Sequence, residues 1–358
     1  MTHQENAPLS VTPGAIRFNT DSMKLEYFRI GSEGGSTSSY AGIGTLAAGE
    51  WVQITTDSPD IQTGGTRGVF WRGFASPANS NTIDYINVDV TGNAIDFGDA
   101  LASARQGGAC GSRVRSFCVG RDSANDTIET LVFASTGNST DFGNSTVSRN
   151  GSPAGGSNST RGLFAGGGAP TTTNIIDYIT MASTGDAVDF GDLTVARTDC
   201  PEGFSSSTRF LIGGGSSTPG SVIENVIDYV TISTLGNAAD FGDLTIVRDS
   251  AAAASNAIRG LFGGGRTTPV HTSSNVIDYV TIVTLGNAQD FGDLTAGCQL
   301  GGACSSPTRF VRALGFTSIY VNTMDYVQIM TTGDAVDFGD TTQARGQNPG
   351  ASNGHGGL

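Results

Sequence analysis

The sequence predicts an all-β protein, a six-bladed β-propeller preceded by a small N-terminal β module. Three observations predict this fold: a cassette that recurs six times, four strand-sized pieces in each cassette, and turns rich in glycine and serine between the pieces. Successive copies are about 45 to 50 residues apart, a period typical of propeller blades. The most regular element is Asp-Phe-Gly-Asp, whose phenylalanines are Phe97, Phe142, Phe190, Phe241, Phe291 and Phe338.

The four pieces follow in the same order in every cassette, which is clearest after Arg248. This arginine opens a stretch of small residues, and the apolar run 258–265 then ends in glycines. The segment 275–283 is rich in β-branched and aromatic residues, and 287–293 carries the Asp-Phe-Gly-Asp motif. No helical period interrupts these pieces. We therefore predict four antiparallel strands per blade, named a to d from the centre of the ring outwards.

The phase of the repeat predicts how the ring closes. The first full blade begins directly at a strand b, residues 66–74, and so lacks its own strand a. Residues 345–358 resemble a strand a that no further strand follows. We expect the second segment to pair with the first and to complete blade one, because closure removes the two exposed sheet edges of an open array.

The order of the pieces resembles the kelch family of β-propellers, in which a double glycine ends the second strand and an aromatic residue closes the fourth. The resemblance covers roughly residues 64 to 358. Blade two departs most, because Glu129 and Thr130 replace the usual Asp-Tyr and Gly120-Arg121 replaces the glycine run. Blade six has the segment 312–315 in place of those glycines. We expect these two blades to be the least regular.

Repeated charges and aromatic residues are predicted to hold the blades together. We expect the repeated phenylalanines to pack between blades, and the Gly-Asp that follows each of them to turn the chain from strand d to the next strand a. Arginines recur at two places, and we expect them to contact the repeated aspartates within or between blades. Six lie in strand b: Arg67, Arg115, Arg161, Arg209, Arg259 and Arg309. Five lie at the d-to-a turn: Arg105, Arg149, Arg197, Arg248 and Arg345.

Composition excludes several classes of partner. The formal net charge of -14 argues against nucleic-acid binding. The polar start predicts no signal peptide, and no apolar run is long enough for a membrane helix, so we expect synthesis in a cytoplasm and no membrane insertion. The five cysteines have no metal-ligand spacing and are expected to be buried free thiols: Cys110, Cys118, Cys200, Cys298 and Cys304.

The sequence offers little for catalysis, and we predict no enzyme, no cofactor and no metal site. The three histidines, His3, His271 and His355, do not occupy repeated positions beside a nucleophile and are expected at the surface. Two alternatives stay open. An Asp pair such as Asp189 and Asp192 is a candidate for calcium, although two carboxylates fall short of the six to eight oxygens that calcium prefers. A glycosidase pair among the many carboxylates is the other.

Residues 1–63 do not follow the repeat. The segment 13–30 alternates on both sides of Asn-Thr-Asp-Ser, which predicts a β-hairpin, and 49–54 is predicted as a further strand. The Arg-Phe-Asn-Thr-Asp core at 17–21 resembles short hairpins of tailed-bacteriophage virion proteins, especially fibres and appendages. That resemblance implies that residues 1–63 bind other virion proteins.

Together, the two resemblances imply a non-catalytic virion structural protein of a tailed phage, similar to phages of marine and freshwater cyanobacteria. It would be made in the host cytoplasm and reside in the virion as a tail fibre, baseplate appendage or capsid decoration. The variable loops between strands b and c are expected to contact a protein or a host-surface glycan: 75–81, 122–125, 169–174, 216–225, 266–275 and 317–322. The alternatives are a polysaccharide-degrading virion enzyme and a bacterial kelch-like adaptor.

Overall fold

A computed structural model describes residues 15–19, 24–30, 49–53, 65–123, 125–168, 171–199, 203–217, 222–268, 272–313 and 315–358. Within these ranges the chain forms β-strands and no helix, which confirms the predicted all-β six-bladed propeller. None of the described residues belongs to a helix that could cross a membrane. The chain divides into two compact units, Met1–Gln62 and Thr63–Leu358, where the sequence predicts a boundary after residue 63.

The first unit contains a three-stranded antiparallel sheet in the order β1-β2-β3. Its strands are β1 (Ile16–Asn19), β2 (Lys24–Ile30) and β3 (Gly49–Gln53). The predicted hairpin is therefore confirmed, and the predicted further strand is β3. Arg17 lies opposite Glu26 and forms an ion pair with it at 2.8 Å, which fixes the register of β1 on β2.

The second unit is the propeller, and its strands follow in chain order. Blades one to three contain β4 (Arg67–Phe70), β5 (Gly73–Ala75), β6 (Ala78–Ser80), β7 (Thr82–Asn87), β8 (Ile95–Asp99), β9 (Gly108–Gly111), β10 (Arg115–Val119), β11 (Asn125–Val132), β12 (Thr140–Arg149), β13 (Ala154–Ser157), β14 (Arg161–Ala165), β15 (Ile175–Thr180) and β16 (Val188–Asp192). Blades four to six contain β17 (Phe204–Ser205), β18 (Arg209–Gly213), β19 (Val226–Thr231), β20 (Ala239–Asp243), β21 (Ala252–Ser255), β22 (Arg259–Gly263), β23 (Arg266–Thr267), β24 (Thr272–Thr281), β25 (Gln289–Cys298), β26 (Ala303–Ser305), β27 (Arg309–Ala313), β28 (Thr323–Gln328) and β29 (Val336–Asp340). The last strand is β30 (Gly350–Ser352).

Each blade is an antiparallel sheet in the order a, b, c, d, as in β13-β14-β15-β16 of blade three. Two blades carry additions in the loop between strands b and c. Blade one has the small hairpin β5-β6, and in blade five β23 pairs with the extended start of β24. Because the strands alternate in direction, the b–c loops and the d-to-a turns share one face of the ring, here called the rim. The a–b and c–d turns lie on the opposite face.

Blade one is completed by β30, which pairs with β4 so that Gly350 lies opposite Phe70. This is the closure that the phase of the repeat predicts. Both strands are shorter than predicted. Strand b of blade one ends at Phe70, not at residue 74, because Gly73 adopts a φ of 141° and starts the separate hairpin β5-β6. The predicted strand at 345–358 is reduced to β30, after which Asn353 N still donates to Arg67 O of β4 at 3.1 Å.

The Asp-Phe-Gly-Asp motif forms a β-bulge inside strand d, so the predicted d-to-a turn at its Gly-Asp is wrong. In blade one Ile83 pairs with Gly98 whereas Asp84 pairs with Asp96, which leaves Phe97 as the extra residue. The bulge needs glycine, since Gly98 has a φ of 142°. It also directs the aromatic ring inwards, and all six repeated phenylalanines are buried.

Each bulge also joins its blade to the next one. Gly286 N, in the c–d turn of blade five, donates to Phe241 O of blade four at 2.9 Å. Ala288 N donates to Asp243 O at 2.8 Å, and Asn287 Oδ1 accepts from Asp243 N at 3.1 Å. The corresponding three hydrogen bonds occur at all six junctions, including the one between blades six and one. The motif is therefore a joint between blades, and the closing junction is equivalent to the others.

Candidate functional site

The arginines of strand b contact tyrosines and not aspartates, so the predicted Arg–Asp contacts are wrong for this set. In five blades the guanidinium lies over the ring of the Asp-Tyr tyrosine, 4.6 to 4.9 Å from its centroid. These arginines are Arg67, Arg161, Arg209, Arg259 and Arg309. The guanidinium also reaches the next blade, as where Arg209 Nη1 donates to Ile282 O at 2.8 Å. Arg115 is the exception, because blade two has Thr130 in place of the tyrosine.

The arginines of the d-to-a turn do form the predicted contacts with aspartate, in four of the five cases. Each is fully buried and pairs with the aspartate of the Asp-Tyr pair in the blade that it enters. The pairs are Arg149 with Asp177 (2.8 Å), Arg197 with Asp228 (2.7 Å), Arg248 with Asp278 (2.5 Å) and Arg345 with Asp84 (3.1 Å). Because each partner would be left as an isolated buried charge without the other, these groups are committed to the fold.

Blade two obtains its buried guanidinium from a different residue. Glu129 stands in place of the aspartate and pairs with Arg72, which comes from blade one, and with Arg121 at 2.9 Å. Burial on its own would raise the pKa of Glu129, but the charge of Arg72 leads the interactions that hold this pKa below its usual value. Arg105, the d-to-a arginine of this blade, is therefore not the partner of Glu129. It lies at the rim with its side chain 40% exposed.

Blade six shows a second exchange of the same kind. Cys298 occupies the d-to-a position of the arginine, and Arg312 of strand b donates from a buried guanidinium to the Cys298 sulfur. Burial raises the pKa of Asp325, the aspartate of this blade. The predicted irregularity of blades two and six therefore lies in these buried charges, while the four-stranded order is kept.

One end of the central channel is closed by residues 353–358, here called the plug. A ring of serines ends the inner strands of five blades, and each hydroxyl donates to the main chain of its neighbour: Ser157, Ser205, Ser255, Ser305 and Ser352. Blade two has Gly111 at this position, and there the plug binds. His355 Nε2 lies 2.8 Å from Gly111 O, and Gly356 N donates to Ser255 O at 2.9 Å on the other side of the channel.

His355 is not a surface histidine as predicted, because it is held inside the plug. Burial lowers its pKa to about 4, so the ring is neutral at pH 7. A Cβ at Gly356 or Gly357 would collide with main-chain oxygens of the channel wall, which explains why the plug is rich in glycine. His3 and His271 lie outside the described residues.

The other end of the channel is closed by main-chain hydrogen bonds. One residue per blade has a φ between 47° and 64°: Gln106, Ser152, Asp199, Ser250, Leu300 and Gln347. Their amides link neighbouring blades, as where Leu300 N donates to Ser250 O at 2.9 Å and Ser250 N to Asp199 O at 3.0 Å. The cavity at each end is about 30 Å³, roughly the space of one water molecule. As the described residues line them, neither cavity is large enough for a substrate.

On the rim, side chains of blades six, one and two form a row that the sequence repeat does not contain. Phe316 packs against Tyr320, and Tyr320 against Phe74, with centroids 5.2 Å apart in both pairs. Arg105 lies 5.3 Å from the Phe74 centroid and 3.6 Å from Asp122. These five residues are here called the rim cluster, and all are partly exposed. Tyr320 and Asp122 belong to predicted b–c loops and Arg105 to the d-to-a turn, whereas Phe74 was assigned to strand b and Phe316 to none of these segments. The contact between Tyr320 and Phe74 comes from ring closure and was missed.

The carboxylates left open by the sequence are spread over the molecule. Asp189 and Asp192 lie in β16, and within the described ranges no three His, Cys, Asp or Glu side chains are grouped as metal ligands. Asp199 lies near Asp249, and burial together with this neighbouring charge raises the pKa of Asp199 to about 6. Asp249 is bound by Arg266 at 2.6 Å, which ties this acid to the rim of blade five.

The described cysteines, Cys110, Cys118, Cys298 and Cys304, are buried and form no disulfide with one another, whereas Cys200 lies outside the described residues. Burial raises the pKa of the Cys298 thiol and of the Cys110 thiol, which disfavours the reactive thiolate form. Comparison of the sequence with known protein families and with curated proteins found no match. The function is therefore argued from the geometry of this chain.

Proposed function

We propose that this protein is a non-catalytic structural component of a tailed-phage virion, a tail fibre, baseplate appendage or capsid decoration. In this proposal residues 1–63 bind other virion proteins, and the kelch-like propeller contacts a protein or a host surface through its rim. The observation that carries the proposal is that the repeated charged groups form buried pairs that hold the blades and that the channel is closed at both ends. Four buried Arg–Asp pairs stabilise the blades, and the channel cavities have room only for water.

Among the described residues of the first unit, β1 is an edge strand of the sheet, which supports a docking role. Ile16 and Phe18 of β1 are 64% and 53% exposed, although both are large apolar side chains. Exposed apolar side chains on an unpaired strand edge favour association with another protein surface. The same strand carries the Arg-Phe-Asn core that resembles phage attachment hairpins, so structure and resemblance favour the same surface.

The rim cluster supports a contact role for the propeller. Aromatic residues and arginine are enriched at the centres of protein interfaces, and here three aromatic rings and Arg105 lie side by side on a partly exposed surface. The cluster forms where blade two uses Arg72 in place of Arg105. This local departure from the repeat leaves the overall fold unchanged, as expected of a site added to a scaffold.

Particle incorporation tests the docking role. The full chain, a chain lacking residues 1–63, and the double variant Ile16→Ser, Phe18→Ser would be expressed during infection, and purified particles would be probed for each protein. We expect a folded propeller in all three and incorporation of the full chain alone. Val188→Ser is the matched control, because Val188 is also an exposed apolar residue (52%) but lies on the propeller.

Two results would contradict the proposal. Incorporation of the chain without residues 1–63 would refute the docking role. Release of sugar from host-envelope polysaccharide by the purified protein would favour the alternative of a polysaccharide-degrading virion enzyme, and Asp199 and Asp249 would then be the first carboxylates to replace.

A further inference from the structure

Blade two contains a surface cleft on the face opposite the rim. Its volume is about 230 Å³, smaller than the clefts that hold drug-sized ligands and large enough for one monosaccharide unit. Arg115, Thr130 and Asp141 line the cleft together with other polar residues of the c–d turn. Phe97 of blade one and Thr184 of blade three also line it, so the cleft extends to both neighbouring blades.

Blade five has an equivalent cleft lined by Tyr279, but in blade two the repeat loses this tyrosine. In five blades that tyrosine lies beneath the strand-b arginine, but Thr130 is shorter and donates its hydroxyl to Ser116 O at 3.0 Å. The guanidinium of Arg115 therefore has no ring below it. In the part of the chain that the structure describes, it also makes no hydrogen bond or ion pair, whereas Arg209 in blade four has both a ring and a carbonyl acceptor.

The other polar groups of the cleft complete a set of donors and acceptors. Asn138 Oδ1 accepts from Asp99 N at 3.0 Å, which leaves the donors of its amide nitrogen available. Asp141 uses one oxygen to accept from Gly143 N at 3.0 Å and has a second oxygen that can accept. Thr136 and Thr140 add hydroxyls at the exposed edge.

We propose that this cleft binds a hexuronic acid unit of a polysaccharide. A partly buried, unpaired guanidinium favours a carboxylate, which it can bind with two parallel hydrogen bonds. The acceptor oxygen of Asp141 and the hydroxyls of the threonines suit sugar hydroxyls. The same Asp141 disfavours a phosphate or sulfate, because a compact, highly charged anion would bring its charge close to the carboxylate and offer it no hydroxyl donors. This binding does not depend on the virion role proposed above.

The test measures binding of galacturonic acid and of galactose to the full chain by saturation-transfer NMR and calorimetry. The two sugars differ only in the carboxylate at carbon 6, so the comparison isolates the role assigned to Arg115. We expect saturable binding of galacturonic acid at millimolar concentrations and at least roughly tenfold weaker binding of galactose. Glucuronic acid and glucose form a second pair with the same expectation.

Two variants locate the site, and a third is the matched control. Arg115→Gln keeps hydrogen-bond donors but removes the charge, so galacturonic acid should bind roughly tenfold more weakly or not at all. Thr130→Tyr restores the residue of the other blades, and its ring should cover the guanidinium of Arg115, as Tyr279 lies beneath Arg259 in blade five. It should therefore abolish binding while the melting temperature stays the same or rises. Arg259→Gln changes the equivalent arginine of blade five, which lies over Tyr279, and should leave binding unchanged.

The proposal is overturned if neither uronic acid binds, if the neutral sugars bind equally well, or if both blade-two variants bind like the unchanged protein. Thermal unfolding of each variant shows that lost binding is not lost folding. Incorporation of the chain that lacks residues 1–63 would refute the docking role of that segment and leave this site intact. Absence of uronic-acid binding would do the reverse.

Discussion

Arginine has two structural roles in this propeller, and neighbouring residues decide between them. At the d-to-a turn the guanidinium enters the blade and meets a buried aspartate, as Arg248 meets Asp278 at 2.5 Å. In strand b it lies at the blade surface over a tyrosine, as Arg259 lies over Tyr279 at 4.6 Å. Sequence alone shows that both arginines and the aspartates repeat, but it does not show which of them face each other. The predicted contacts were therefore correct for one set and wrong for the other.

Loss of a repeated phenylalanine should destabilise the propeller, because each of the six is buried. Phe241 is 3% exposed and packs with residues of blades four and five, including Ile227 and Ile282, with its ring 5.9 Å from that of Tyr229. We expect Phe241→Ala to lower the free energy of unfolding by about 3 to 5 kcal/mol, because it leaves a cavity in this junction. Urea unfolding followed by circular dichroism measures the change.

The matched control for Phe241 is Leu235→Ala in the same blade. Leu235 is 52% exposed, so its truncation should change the free energy of unfolding by less than about 1 kcal/mol. A change of similar size in both variants would mean that the ring of Phe241 is not held between the blades.

At the scale of elements, the sequence predicted the strands better than their irregular parts. The Asp-Phe-Gly-Asp motif was correctly placed at strand d, but its glycine was assigned to a turn. A turn and a bulge both call for glycine, and the difference depends on the partner strand: Ile83 and Asp84 are consecutive, whereas their partners Gly98 and Asp96 are separated by Phe97. No local pattern in strand d gives that pairing. For the same reason the plug, which lies beyond the end of β30, was predicted as part of a strand.

The plug should make stability depend on pH, because it holds His355 in the neutral form. The pKa of His355 is about 4 in the folded protein and about 6.5 in an unfolded chain, so the unfolded state binds more protons between these values. The stability that His355 contributes is present above pH 6.5 and is lost as the pH falls towards 4. Arg113 is the charge that faces the ring, and it adds to the unfavourable effect of protonation.

The comparison with His355→Gln isolates this effect from that of other groups. Asp199, whose pKa is raised to about 6, acts in the opposite sense: its protonated form is favoured in the folded state, so the stability that it contributes is lost as the pH rises from about 4 to 6. Asp199 is the same in both proteins and cancels. The quantity to measure is the free energy of unfolding of the unchanged protein minus that of His355→Gln. We expect this difference to fall by on the order of 2 kcal/mol from pH 7 to pH 4. A difference independent of pH would show that His355 titrates normally.

At the scale of the whole molecule, the six-fold period and its phase were enough to predict the ring and its closure. The joints repeat at every junction, so one cassette contains the information for all six. The rim cluster and the cleft of blade two are different, because each depends on residues that occur once. Phe316 and Phe74 are about 240 positions apart and meet near Tyr320 only when blade six closes on blade one. Such proximity follows from the folded ring and not from any pattern along the chain.

Ring closure should depend on residues 350–358. They include β30, which covers the inner edge of β4, and the plug, which crosses the channel. Removing all of them should leave blade one with three strands and an exposed edge, which favours aggregation and lowers the melting temperature by roughly 5 °C or more. Removing only 353–358 should have a smaller effect, because β30 and Ser352 remain. Differential scanning calorimetry of the full chain and of the two deletions measures the order of their melting temperatures. An unchanged melting temperature in the longer deletion would show that the ring does not depend on β30.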